Sequence, residues 1–342
     1  MIAESKIRNL LNALQFEESN GFFTKSYTHI ERLLTISLSQ NCIYYDEIGI
    51  EVIRNTTSNF DNPENLVVLE CIDRLLSKGY RPEHLILEPH WKVGHGASGG
   101  FGDILVKDKT GDNSYIIIEC KVWGSKFDKE LKDLKNNGGQ LFTYFKEEPS
   151  TKWLTLYASH LEDNTVEYNE KTISVEDDAN IVLLAKKDKT ILLFSAFGKA
   201  DELYNVWKET YGLKIWNNIV FSANSQPYKV GIAPLRKKDL KDFTPNDKIV
   251  NRFEEILRHN NVSDRENAFN RLVALFICKL VDEIRKGDND IVDFQYKQGS
   301  DTYETIQDRL QRLHKEGMED FMKEEIFLSL IHISEPTRHL RI

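Results

Sequence analysis

Apolar residues recur at helical spacing from Pro63 to Lys78, where Val68, Leu69, Ile72, Leu75 and Leu76 line one side. Asn62 suits an N-cap, Pro63 suits the first helical position, and Gly79 supplies the stop. Residues 1–40 also read as helical, although they carry no recognisable chemistry. Beyond Gly79 the texture turns to short apolar runs. Strands are expected at His84–Leu87, Asp103–Val106, Tyr115–Lys121, Trp153–Tyr157, Ile181–Leu184 and Ile191–Phe194, with a polar helical stretch between Lys121 and Trp153. The fold class is therefore α/β, with strands and helices mixed in one unit.

After Pro245 the pattern predicts helices only. Ser263 and Glu266 form a capping-box pair, and Phe269, Leu272, Val273, Phe276, Leu280 and Ile284 mark one apolar face that ends at Gly287. A further helix is expected from about Asp301 to Glu316, closed by Gly317. The domain boundary is placed near residues 240–246.

Composition narrows the class without naming a function. A chain of 342 residues with 40% hydrophobic and 29% charged residues is long enough for two domains and too apolar for a disordered chain. Cys42, Cys71, Cys120 and Cys278 lie far apart, with no CxxC pair, which speaks against a structural zinc site and for a reduced, cytoplasmic setting. Leu272–Ile277, the longest apolar stretch, is far shorter than the roughly 20 residues of a membrane span. The net charge of −9 gives no global sign of nucleic acid, though a groove needs only local positive potential. Six Lys/Arg against three Asp between Tyr228 and Lys248 suit either a phosphate-facing strip or a solvated linker, and the linker is favoured.

The chemistry concentrates in GGFGDILV (99–106) and YIIIECKVW (115–123). If these strands pair antiparallel with Asp103 opposite Glu119, the midpoint is Gly111, beside Asp112 in a turn signal. Alternation puts Glu119 and Lys121 on one face and Cys120 on the other, with Ile116 and Ile118. Two adjacent carboxylates repel unless a cation sits between them. Asp103, Glu119 and the Cys120 carbonyl offer the oxygen set that Mg²⁺ takes, with Lys121 beside it to orient a water or stabilise phosphoryl charge. An ExK tripeptide alone would suit an exposed Glu119–Lys121 salt bridge; the Gly-Asp strand and the hairpin symmetry favour a site. The glycine-rich run Gly94–Gly102 lacks the Lys-Ser/Thr ending of a phosphate loop and reads as a flexible approach to Asp103. His90 and His95 beside it read as solvent-facing rather than as metal ligands.

Asp103 with Glu119-Cys120-Lys121 resembles the motif of the PD-(D/E)XK nuclease superfamily. Gln140-Leu-Phe-Thr-Tyr144 resembles the Q-x-x-x-Y element that follows the lysine in type I restriction subunits. This resemblance covers roughly residues 60–200 and implies a restriction-endonuclease-like mixed sheet flanked by helices, a Mg²⁺ cofactor and double-stranded DNA as substrate. Gln140 and Tyr144 would support site or substrate geometry. The family also places an acid on the helix before the sheet, for which Glu64 is the nearest candidate, with Glu70 behind it.

Asn267–Glu283 and Asp308–Met318 look like the N-terminal helical domain of N6-adenine DNA methyltransferase subunits, over residues 245–327. Neither an Asn-Pro-Pro-Tyr/Phe motif nor a glycine-rich S-adenosylmethionine loop occurs, and no Walker motif is present. Leu328–Arg338 resembles read-through of a sequencing adapter, so a methyltransferase domain using S-adenosylmethionine is expected in a longer natural chain. The expected division is an N-terminal helical segment (1–59), a nuclease-like domain (60–240), a C-terminal all-α domain (245–327) and an artefactual tail (328–342). Together these resemblances imply the endonuclease part of a fused restriction–modification enzyme, with a specificity subunit or target-recognition domain as a further partner and no membrane. The alternatives are a methyltransferase fragment and a non-catalytic DNA-binding module.

Overall fold

The computed structural model describes residues 2–91, 100–222, 225–231, 234–240, 265–297, 301 and 303–321. The chain divides into two compact units, 1–232 and 233–342.

The first unit opens with α1 (Glu4–Ala13) and a four-stranded antiparallel meander of β1 (Glu17–Ser19), β2 (Phe22–Tyr27), β3 (Ile30–Ser37) and β4 (Cys42–Tyr44). The helical expectation for residues 1–40 thus holds for α1 alone, and three strands occupy much of the rest. Ser19 pairs with Phe22 across Asn20-Gly21, both at positive φ, the two-residue turn that suits a twisted hairpin. The one-turn helix α2 (Tyr45–Ile48) and β5 (Glu51–Val52) lead to α3 (Pro63–Lys78). The α3 boundaries are those its local signals predict. The Asn62 side chain accepts from the Glu64 N–H at 3.1 Å, and Gly79 closes the helix at φ 108°.

There follow β6 (Leu85–Leu87), the ribbon strands β7 (His90–Trp91) and β8 (Gly100–Phe101), β9 (Ile104–Lys107) and β10 (Ser114–Cys120). Helices α4 (Ser125–Asn137) and α5 (Gly139–Phe145) cross over to β11 (Trp153–Glu162), and β12 (Thr165–Ser174) returns beside it. Next come α6 (Ala179–Lys187), α7 (Ala200–Glu209) and β13 (Trp216–Asn217). The mixed seven-stranded sheet has the order β13-β12-β11-β10-β9-β6-β5. β10 runs parallel to β11, and β5 runs parallel to β6; the other neighbours are antiparallel.

Two expected strands are not strands. Ile181–Leu184 lies in α6, because a four-residue apolar run does not distinguish a strand from one helical turn. Ile191–Leu193 is irregular and Phe194 starts a 3₁₀ turn, with the Phe194 and Ser195 N–H groups donating to Asp177 at 2.8 and 3.0 Å instead of to a ladder.

The large sheet is covered on both faces, so successive residues of its central strands are buried rather than alternating between core and solvent. Ile104, Val106, Ile116, Ile118 and Cys120 join the core that contains α3 and the meander. Leu105, Ile117, Leu154 and Leu156 join the opposite core, with Phe127 and Leu134 of α4, Phe142 of α5 and Trp207 of α7.

The second unit contains α8 (Arg265–Arg285) and α9 (Tyr303–Phe321). Two expectations change here. Ala274, Cys278 and Val281 are buried in this unit, whereas Val273, Phe276, Leu280 and Ile284 of the expected apolar face are exposed, with Leu272 half-buried. Gly317 does not stop α9 but lies inside it, where a Cβ would run into Ile277 Cγ2; its role is close helix approach. Arg236 and Lys237 donate to the carbonyls of Asn289 and Lys286, and Lys238 donates to Asn289 Oδ1, so this part of the basic strip caps the end of α8. Residues 241–264, Ser263 of the capping box among them, and the tail 328–342 lie outside the described residues, as does the Phe269 side chain. Among the described residues, no helix is long and apolar enough to cross a membrane.

Candidate active site

The hairpin of β9 and β10 has the register centred on residue 111. Ile116 pairs with Val106, Ile117 with Leu105 and Ile118 with Ile104, and one further step reaches Glu119 and Asp103. A register shift between Ser114 and Ile116 absorbs the turn. At its tip Gly111 has φ 82° and donates to the Asp108 carbonyl at 3.0 Å, and the Asp108 carboxylate also accepts from Thr110 and Asn113. The turn is thus held by bonds independent of the site.

At the other end of the hairpin the expected groups converge. Asp103 Oδ2 accepts from the Cys120 N–H at 2.6 Å, which ties the first acid to the backbone between the second acid and the lysine. Lys121 Nζ donates to Glu119 Oε1 and lies 4.0 Å from Glu64 Oε1, in the first turn of α3. Among the described residues, Glu119 Oε2 is buried without a hydrogen-bond partner. Burial, with the neighbouring Glu64 and Glu88 charges, pushes the Asp103 carboxyl up to about 7 against the opposing pull of Lys121 and the Cys120 N–H. Glu119 is raised well above the ordinary carboxylate range by burial and then by Asp103. For Lys121 burial works against the charge, but Glu119 and Asp103 outweigh it, so the ammonium is held charged.

Gln140 and Tyr144 stand one turn apart on α5, and Gln140 Nε2 donates to the Tyr144 hydroxyl at 3.1 Å. That hydroxyl donates to the Phe101 carbonyl at 2.7 Å, two residues before Asp103, and the ring stacks on Trp91 at 4.8 Å. The pair therefore braces the chain entering Asp103. Gly102 is needed for the same fit, since a Cβ would come within 2.9 Å of the Trp91 ring.

Glu70 is not part of this group. Its carboxylate is bound by Arg74 and by the Tyr157 hydroxyl at 2.5 Å, beneath the face that carries Cys120. Helical spacing separates it from Glu64 by six residues, which is not one face of α3. His90 is exposed and its ring lies 4.5 Å from that of Phe101, while His95 is outside the described residues.

Two features escaped the sequence reading. Glu88, at φ 52°, donates its N–H to the Asp103 carbonyl at 3.0 Å, while its carboxylate accepts from the Thr56 and Thr57 N–H groups at 2.8 and 3.2 Å. The second is a cluster of His160, Glu162 and Glu167 on β11 and β12, whose ligand atoms lie within 4.8 Å of one another. Its signal was present in the sequence: Asp163-Asn164 is a turn pair, and His160 and Glu167 are equidistant from it.

Asp103 and Glu119 fit a hard divalent ion: they offer carboxylate oxygens, one of them orphaned and buried, between charges that disfavour two ionised acids without a cation. The Cys120 thiol is on the opposite face beside Cys71, so only the Cys120 carbonyl is a candidate ligand. No family model matches the chain, and no curated protein matches it.

Proposed function

We propose that residues 60–232 form a Mg²⁺-dependent endodeoxyribonuclease of the PD-(D/E)XK type, acting on double-stranded DNA within a restriction–modification system. The observation that carries this reading is the convergence of Asp103, Glu119, Lys121 and Glu64 at one end of a paired hairpin, with Glu119 Oε2 left unsatisfied. The order of elements supports it. A helix (α3), three antiparallel strands (β6, β9, β10), crossover helices and a parallel strand (β11) make a mixed sheet flanked by helices, and a sheet of that kind is what the resemblance implies.

Asp103, Glu119 and the Cys120 carbonyl would hold the ion, which supplies Lewis-acid polarisation of a phosphate oxygen and acidifies water. The chain's own part is positioning and charge. Lys121 stays protonated between Glu119 and Glu64, so it acts as an electrostatic group that orients water or stabilises the pentacovalent phosphorus, not as a general base. Asp103 is fixed from three sides, by the Cys120 and Glu88 N–H groups and through the Tyr144–Phe101 bond.

The test is conversion of supercoiled plasmid to nicked or linear DNA. Cutting is expected with Mg²⁺ and not after EDTA treatment, and it is expected to disappear in Asp103→Ala and Lys121→Ala. Undiminished cutting by Lys121→Ala overturns the role of that residue. DNA binding without cutting under all conditions overturns the nuclease reading.

A further inference from the structure

We propose that His160, Glu162 and Glu167 form a second cation site, distinct in chemistry from the Asp103–Glu119 pair and selective for a zinc-class divalent ion. The hairpin between β11 and β12 builds it. Asp163 and Asn164 occupy the turn at φ 47° and 62°, the two-residue geometry that pins the register, and in that register His160 pairs directly with Glu167. Glu162, two residues beyond His160, shares its face.

Three observations point to an ion. His160 Nε2 lies 3.1 Å from Glu162 Oε2, and all three ligand atoms lie within 4.8 Å of one another. Ligands about 2.0–2.1 Å from a tetrahedral ion stand about 3.3 Å apart, so only the exposed Glu167 side chain must close in. Among the described residues, neither Glu162 nor Glu167 has a Lys or Arg within 4 Å, and the imidazole bonded to Glu162 is the cationic-capable group beside them. The imidazole is also set in place from behind, its ring 4.0 Å from that of Trp123. An imidazole with two carboxylates is a donor set for zinc and its neighbours, whereas Mg²⁺ prefers oxygen alone. Three protein ligands leave a fourth position open.

The site is independent of the nuclease reading and is tested separately. The whole chain is freed of metal with EDTA, desalted and titrated with Zn²⁺ by calorimetry, and with Ni²⁺ while tryptophan emission is followed. The wild-type chain and Asp103→Asn are both expected to take up one equivalent of Zn²⁺ through this site. Both His160→Ala and Glu167→Gln are expected to weaken that binding by about tenfold or more. Ni²⁺ quenching is expected to be lost in Trp123→Phe as well as in His160→Ala. Zinc binding unchanged in the His160→Ala/Glu167→Gln double variant, or absent from the wild-type chain, overturns the proposal.

Discussion

Three glutamates of the large sheet and its flanking helix are almost equally buried, Glu70 at 1%, Glu119 at 2% and Glu170 at 0% exposure, yet they are treated in opposite ways. Glu170 accepts from the Ile219, Val220 and Phe221 N–H groups at 2.9, 2.9 and 3.2 Å and from the Thr172 hydroxyl at 2.7 Å. Glu70 is held by Arg74 and Tyr157, with the guanidinium in turn 4.1 Å above the Tyr168 ring. Glu119 has Lys121 on one oxygen and, among the described residues, no partner on the other, and Asp103 stands beside it. Burial raises the pKa of all three, so a raised value does not separate structure from chemistry. Hydrogen bonding does distinguish them: Glu70 and Glu170 have both carboxylate oxygens engaged, whereas among the described residues Glu119 Oε2 has no partner, the state that the proposed ion site requires.

The largest expected effect lies on the unsatisfied side. Asp103→Ala or Lys121→Ala is expected to lower the rate of plasmid cutting by about 10³-fold, with an unchanged circular dichroism spectrum. A fall in cutting that tracks a loss of folded protein would erase the distinction.

On the satisfied side Glu170→Ala is expected to cost about 3 kcal/mol in urea unfolding, since three backbone N–H groups lose their acceptor. Little change in the midpoint would show that water replaces the carboxylate.

The third prediction concerns sign. With a carboxyl raised from 3.8 to about 7, the folded chain binds more protons than the unfolded one, so metal-free stability falls as pH rises from about 4 to 7 and stays low above. Asp103→Asn keeps an acceptor for the Cys120 N–H and removes that penalty, with an expected gain on the order of 2 kcal/mol at pH 8 and none near pH 4. Mg²⁺ binding to the wild-type chain should weaken below about pH 7 for the same reason, as calorimetry across pH would read. Equal melting of Asp103→Asn and wild type at both pH values would contradict the buried-charge account.

The smallest effect tests the bracing of Asp103. Gly102→Ala is expected to cost about 1 kcal/mol by pressing on Trp91, and to lower cutting by about tenfold at unchanged Mg²⁺ affinity.

The sequence by itself determined whatever depends on neighbours a few residues apart. Asn62, Pro63 and Gly79 bound α3 because caps act within one turn. The spacing about Gly111 also places Asp103 beside Glu119, although the ladder reaches that register only through the irregularity between Ser114 and Ile116, since Ser114 pairs with Lys107 next to the turn. The tertiary structure decided what depends on partners from elsewhere in the chain. Glu64 rather than Glu70 reaches Lys121, because α3 packs by the face that sends Glu70 to Tyr157. Val273, Phe276, Leu280 and Ile284 have helical spacing but stay exposed, because α9 packs on the stripe of Ala274, Cys278 and Val281, where Gly317 allows close approach. Periodicity shows which residues share a face, but the shape of the opposing surface selects the face that is buried.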